Sequence, residues 1–334
     1  MQRWFFGARL ALGAGIALAI LGNTLAQTRS WAQAPAPTWP SKPIRVIVPL
    51  TPGSASDVMA RIVTEQLSTQ LGQLIIVENR PGAGNTIGMG AVARAEPDGY
   101  TLLVNSSTHT VTPATRSNLG FEMTDLAAII PLGNMPVVMV FNPSKGYKKL
   151  GDFVAYAKAN PDKINYASAG AGNSSHLNGE RFRLAAGFEA VHLPFKGAPE
   201  ATTEVIAGRA DFYFSPLVNA LSLIKEGTVQ ALAVSGSSRA AALPDVPTTV
   251  EAGYPNSEYN FWAGMFAPAK TPASIREKLF QEMAKALQNP ATRARLANLG
   301  ADPMLLDSMR FEALVRSEIE ANTQLVKAAG IKVN

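Results

Sequence analysis

From residue 43 to residue 234, strand-like and helix-like segments alternate, break off once and resume, a pattern that restricts the chain to an α/β architecture in two blocks. Ile44 to Val48 is a β-branched run closed by Pro49. From Ser56 to Leu71 the apolar residues Val58, Met59, Ile62, Val63, Leu67 and Leu71 keep helical spacing, and Gly72 is placed to end the helix. Leu74 to Val77 predicts a strand, Thr86 to Arg94 a helix and Thr101 to Val104 a strand. That βαβαβ order implies a parallel sheet covered by helices. Two apolar runs, Leu126 to Pro131 and Val137 to Phe141, then follow each other with no helix between them. The second block reads helix 150–159, strand 164–167, helix 175–186, strand 190–193, helix 199–207, strand 211–214 and strand 229–234. The chain loosens through Pro244, Pro247 and Pro255, and three helices finish it. One opens at Thr271-Pro272, with Thr as cap and Pro in the first helical position. One block inserted in another, with crossovers near 137–141 and 229–235, predicts two lobes: 36–138 with 236–334, and 139–235.

Export is expected from the first 34 residues. Arg3 and Arg9 precede a twelve-residue run, Leu10 to Leu21, and the chain then turns polar before Ala32-Gln33-Ala34, a small-x-small cleavage motif. The run is well short of the roughly 20 apolar residues that a membrane span needs. Cleavage there would remove three arginines and no acid, taking the formal charge from +5 to +2. The basic character thus belongs largely to the targeting segment, and no run of Lys and Arg interleaved with aromatics supports nucleic-acid binding. Cysteine is absent, so disulfides, thiolate nucleophiles and cysteinyl metal sites are excluded together. A chain of about 300 residues buries enough core to manage without disulfides.

The segment Pro43-Ile-Arg-Val-Ile-Val-Pro49, followed by Thr51-Pro-Gly-Ser-Ala-Ser-Asp57 and Arg61, resembles the opening of the Bug family, the substrate-binding proteins of tripartite tricarboxylate transporters. The likeness continues through Val77-Glu-Asn-Arg-Pro-Gly-Ala-Gly84, Pro97-Asp-Gly-Tyr-Thr-Leu-Leu103, Tyr166-Ala-Ser168 and His176-Leu177. It resumes at Pro194-Phe-Lys-Gly197, Leu243-Pro-Asp-Val-Pro-Thr248 and Ala329-Gly-Ile331, and so covers residues 40–334. The resemblance implies a type II periplasmic-binding-protein fold: two α/β lobes joined by two crossover strands, with a ligand cleft between them. It implies a periplasmic, monomeric protein that closes on a small organic carboxylate (a di- or tricarboxylate or an aromatic acid) for uptake by the membrane subunits of a permease. A ligand-sensing partner of a membrane sensor kinase would carry the same motifs.

The residues themselves point the same way. Thr51 to Asp57 lies between the first strand and the first helix, where ligands sit in open α/β sheets, and a helix N-terminus suits an anion. Ser54, Ala55 and Ser56 are therefore candidate ligand contacts, with Ser54 standing where the family commonly has a second glycine. Asp57 fits a capping box with Ser54 and would repel an anionic ligand, so a structural role is expected. Ser168, Gly170, Gly172 and Asn173 form the corresponding turn of the second lobe, and Asn105 and Ser106 end the third strand facing the cleft. No Gly-Lys-Ser/Thr follows those glycines, which excludes a P-loop. His176, in a helix's first turn, is either a packed histidine or a cleft residue, and His192 reads as structural. The resemblance places Phe195 and Lys196 at the cleft rim and gives Asp211 a part in the proximal site, with lobe packing as its alternative. The histidines lack acidic partners at ligand spacing, so no metal or cofactor is expected. Neither Gly-x-Ser-x-Gly nor His-Glu-x-x-His occurs, and no enzymatic activity is expected.

Overall fold

The computed structural model describes residues 39–331. The expected export segment with its cleavage motif lies outside the described residues. The elements run β1 (Ile44–Val48), α1 (Ala55–Leu71), β2 (Ile75–Asn79), α2 (Thr86–Ala93), β3 (Thr101–Ser106), α3 (Thr108–Thr115), β4 (Leu126–Met135), β5 (Val137–Phe141), α4 (Leu150–Ala159), β6 (Asn165–Ser168) and α5 (Ser174–Ala186). They continue with β7 (Val191–Pro194), α6 (Ala198–Ile206), β8 (Phe212–Pro216), α7 (Leu217–Lys225), β9 (Gln230–Val234), β10 (Phe261–Pro268), α8 (Ala273–Gln288), α9 (Pro290–Asn298) and α10 (Ser308–Ala329).

Two five-stranded sheets result, in the orders β2-β1-β3-β10-β4 and β7-β6-β8-β5-β9. In each, three consecutive strands are parallel, as the alternation predicts, and two antiparallel strands complete the sheet. The chain passes from the first sheet to the second at Pro136, directly from β4 into β5. Its return is slower. Val234 bridges to Thr248, and Tyr259 donates its N–H to Ser235 O before β10 rejoins the first sheet. β10 escapes the sequence pattern: all eight of its residues are buried, so it has no polar alternation to reveal it.

Burial decides which faces pack. Ile47, Leu103, Trp262, Phe266 and Phe311 form the core beneath the first sheet, where a Cβ on Gly264 would collide with the Phe311 ring. Under the second sheet, Phe153, Phe182, Phe188, Phe212 and Phe214 pack edge to face at centroid distances of 5.2–6.2 Å, the geometry that the ring quadrupole favours. Gly72 ends α1 in the left-handed conformation, φ 63°, which a glycine adopts without a Cβ penalty. Thr271 does not cap α8: the helix starts at Ala273 behind Pro272, and the threonine hydroxyl is buried without a partner.

Candidate functional site

Because β1, β2 and β3 are parallel, as are β6, β7 and β8, six loops leave the carboxyl ends of their strands in two sets. The sets meet across one cleft. A small chamber of about 30 Å³ is lined by Thr51, Ser54 and Ala55 after β1, by Ser106 and Thr108 at β3, and by Ala169, Asn173, Ser174 and Ser175 after β6. Gly197 and Ala198 after β7, and Tyr213, Pro216 and Asn219 around the end of β8, close it from the other side. A second chamber of about 470 Å³ shares Leu50, Thr51, Ala169 and Asn173 with the first. It continues past Pro81 to Asn85, Arg116, Gly170, Phe195 and Lys196.

The two sides touch. Asn219 Nδ2 donates to Gly53 O at 2.8 Å, and the Ser174 N–H donates to Thr108 Oγ1 at 3.1 Å. Gly197 approaches Thr51 so closely that a Cβ there would run into the threonine hydroxyl. Its backbone is extended, φ −174°, so the need for glycine is spatial.

Donors at the chamber are unevenly committed. At the start of α1, Ser54 is the N-cap residue but makes no side-chain cap, and the first N–H groups of a helix have no partner within it. The Ser54 and Thr51 hydroxyls are buried without a hydrogen-bond partner. The expected capping box is thus only half present. Asp57 reaches back, but to the Gly53 N–H at 2.9 Å, while its other oxygen accepts from Arg61 and Asn79. Burial alone would raise the Asp57 pKa, but the bonds from Arg61, Gly53 and Asn79 hold it below the usual carboxylate value. Asp57 is structural. α6 also begins without a side-chain cap, at Gly197.

The turn after β6 is closed on itself. Asn173 Oδ1 accepts from the Ser175 and His176 N–H groups, and Ser175 Oγ accepts from Ala169 N–H. Ser168 Oγ accepts from Gly170 N–H, and His176 Nδ1 accepts from Gly172 N–H. Behind the turn the His176 and His192 rings stack at 3.7 Å and 5°. Burial lowers the pKa of His176 to about 4 and that of His192 to about 3, the second with help from its neighbour, so both are neutral near pH 7. Ser168 Oγ lies 2.6 Å from His192 Nε2. This is no nucleophile–base pair: Ser168 is fully buried, and no carboxylate among the described residues is bonded to the His192 ring.

Of the residues expected from sequence, Ser54, Ala55, Ser106 and Asn173 line the small chamber, and Gly170, Asn173, Phe195 and Lys196 line the large one. Ser56 is buried beside the chamber with an unpartnered hydroxyl. Asn105 stands behind it, its Oδ1 accepting from Asn85 Nδ2 and Ser106 N–H. Ser168, Gly172 and His176 brace the turn without lining either chamber. Asp211 is displaced altogether: it precedes β8, so parallel pairing with β6 puts it at the end of the sheet away from Ser168. There it accepts from Asn165 N–H at 2.8 Å and pairs with Lys145 at 2.9 Å, which is the lobe-packing alternative. Gly197 and Asn219 were not anticipated. A glycine opening a strand-to-helix turn was the one available signal for the first, whereas Asn219 comes from an element whose placement depends on the sheet order. Among the described residues no group of three or more acidic or histidine side chains is placed to hold a metal ion.

Known proteins resemble this chain along most of its length. A family model described as "Tripartite tricarboxylate transporter family receptor" matches residues 59–331. Protein BugT of Bordetella pertussis is 34% identical over 321 residues, spanning 95% of this chain and 98% of BugT. Among solved structures, Rpa4515 of R. palustris with adipate superposes with a TM-score of 0.84 at 28% identity, covering 88% of this chain and 99% of the other. MatC from Rhodopseudomonas palustris with bound malate superposes with a TM-score of 0.81 at 32% identity, covering 86% of this chain and all of the other.

Proposed function

The chain belongs to the tripartite tricarboxylate transporter receptor family, the Bug solute-binding proteins, and from that premise we propose that it captures a small organic carboxylate in the periplasm by hinge closure and delivers it to the membrane subunits of a permease. The family consists of solute-binding proteins and not of enzymes. The observation that carries the carboxylate reading is the start of α1. Free helix N–H groups and two buried, unpartnered hydroxyls, those of Thr51 and Ser54, face one chamber. A buried hydroxyl left unbonded costs about 1–3 kcal/mol, and an anion that accepted from it would remove that cost. Relatives holding adipate and malate support the same ligand class.

The division into lobes 36–138 with 236–334, and 139–235, puts Pro136 and the segment around Ser235 at the hinge. The bonds Asn219–Gly53 and Ser174–Thr108 are then the ones that opening breaks. The proposed proximal contacts are Ser54, Ala55, Ser56 and Thr51 on one side and Asn173, Gly197 and Asn219 on the other. Three or four charge-assisted hydrogen bonds at about 1.5–3 kcal/mol each supply most of the roughly 8 kcal/mol that a micromolar complex requires.

Thermal-shift titration of the full chain against mono-, di- and tricarboxylates, aromatic acids and neutral solutes tests this. Stabilisation grows as the logarithm of ligand concentration over Kd, so at least one carboxylate raises Tm in a concentration-dependent way. A rise with a neutral solute and with no acid would refute the reading.

A further inference from the structure

Away from the cleft, the C-terminal helix joins the two blocks a second time. α10, 22 residues long, is anchored in the core of the first sheet through Phe311 and Val315. Its far end leaves that core and packs Val326 against Val111 of α3 and Leu177 of α5, with Leu325 and Ile331 around them. Val111 and Leu177 are fully buried, and Val326 is 8% exposed. Leu177 belongs to the second block and the other two to the first, so the two proposed lobes share this apolar cluster. Polar contacts flank it. Arg181, one turn on from Leu177, donates from Nη1 to Glu258 O at 3.1 Å, and its guanidinium carbon lies 5.9 Å from the centre of the Tyr259 ring. Glu318 of α10 accepts from Trp262 Nε1 and Thr110 Oγ1 at 3.0–3.1 Å. Burial raises the Glu318 pKa, and those two bonds and the charge of Arg181 offset part of the rise. None of these residues lines either chamber.

We propose that this seam is a latch independent of ligand: Leu177, Val326 and Arg181 set what share of the free protein is closed, and so scale affinity for every ligand by one common factor without touching any of them. The proposal rests on the hinge-closure reading above and goes beyond it by assigning closure to residues outside the cleft. Parting the lobes would bring the three buried apolar side chains into water, which opposes opening in proportion to the area exposed. It would also take Arg181 away from Glu258 O and from the face of Tyr259, where a cation is attracted by the ring quadrupole. The apparent affinity of a protein is its intrinsic affinity multiplied by the populated fraction of the binding-competent state. A change confined to the latch alters that fraction alone, and the order of preference among ligands stays as it was.

The test is a spin-label distance measurement across the lobes of the full chain, paired with calorimetry. The chain has no cysteine, so Ala155→Cys on α4 and Ala294→Cys on α9, both at exposed positions, carry the two labels without competing sites. Arg181→Gln and Val326→Ala each raise the share of ligand-free protein at the longer distance. Each also weakens binding of adipate and of malate by one and the same factor, about threefold to tenfold. Arg181→Gln removes no side chain from a core, so it tests the latch even if the Val326 variant folds poorly. An unchanged distance distribution in both variants overturns the latch, and leaves hinge closure standing if saturating adipate or malate shortens the distance in the parent chain. Losses that differ between the two acids also overturn it. A single distance in every sample, unmoved by either acid, overturns latch and hinge closure together. Binding of neither acid counts against the carboxylate reading alone, because the distance measurement needs no ligand.

Discussion

At the start of α1 the N-cap serine makes no cap, and its hydroxyl and that of Thr51 are buried with nothing bonded to them. At the start of α5, across the same chamber, Asn173 caps two N–H groups, and Ser168, Ser175 and His176 take up the N–H groups of Gly170, Ala169 and Gly172. Both turns are strand-to-helix junctions rich in small and hydroxyl-bearing residues, yet one offers its donors outward and the other spends them on itself. The first is the turn proposed to take an anion where a cap would sit. The second is a wall braced by its own hydrogen bonds, and the uncapped α6 and Asn219 are what its side adds to the proposed binding surface.

The contrast can be broken at four places. The largest effect is expected at Gly197, where any side chain meets Thr51: Gly197→Leu lowers ligand affinity by about 100-fold or more in calorimetry, since the closed approach becomes sterically impossible. Next, Ser54→Ala removes an outward donor and costs about 1.5–3 kcal/mol of binding. The melting temperature of the unliganded protein does not fall, because no bond is lost. Acid then separates the turns. His176 and His192 have folded pKa values of about 4 and about 3 against 6.5 for the free side chain. The unfolded chain therefore takes up their protons first. The stability this represents is complete above pH 6.5 and is lost as pH falls from there toward 4, at up to about 1.4 kcal/mol per pH unit for each histidine. Asp57 also loses its contribution on acidification, but at lower pH. Its lowered pKa preserves the ionised form of the first turn until the pH drops below 3.8. Amide protection factors, corrected for the intrinsic exchange rate, are accordingly expected to fall between pH 6.5 and 4.5 at residues 168–176 before residues 51–57; simultaneous loss would erase the distinction. The smallest effect is that of Asn173→Ala, which removes a cap and destabilises the fold by about 1 kcal/mol in urea titration. Its binding loss is smaller than that of Ser54→Ala.

Much of this was legible in the residues alone. Helical spacing between Val58 and Leu71, with Gly72 after it, specifies α1 to within a residue, because an amphipathic helix and its left-handed stop are local properties. The break in alternation at 126–142 likewise marks the passage between sheets, since two strands without a helix between them cannot continue a βαβ order. β10 was missed because a strand buried on both faces carries no period, and Asp211 was misplaced because the end of the sheet that receives it depends on β8 pairing parallel to β6. The capping box between Ser54 and Asp57 was half right for a similar reason: the spacing permits two bonds, but only packing selects which donor each oxygen meets.

The amino-acid sequence by itself therefore determined the α/β class, the two blocks and the strand-to-helix turn at Thr51–Asp57, all of which follow from interactions within a few residues. Only the tertiary structure decided that this turn keeps its donors free while the turn at 168–176 consumes its own, and that Gly197, Asn219 and Arg116 share one cleft. Those outcomes rest on pairings between residues tens of positions apart, which no local spacing encodes.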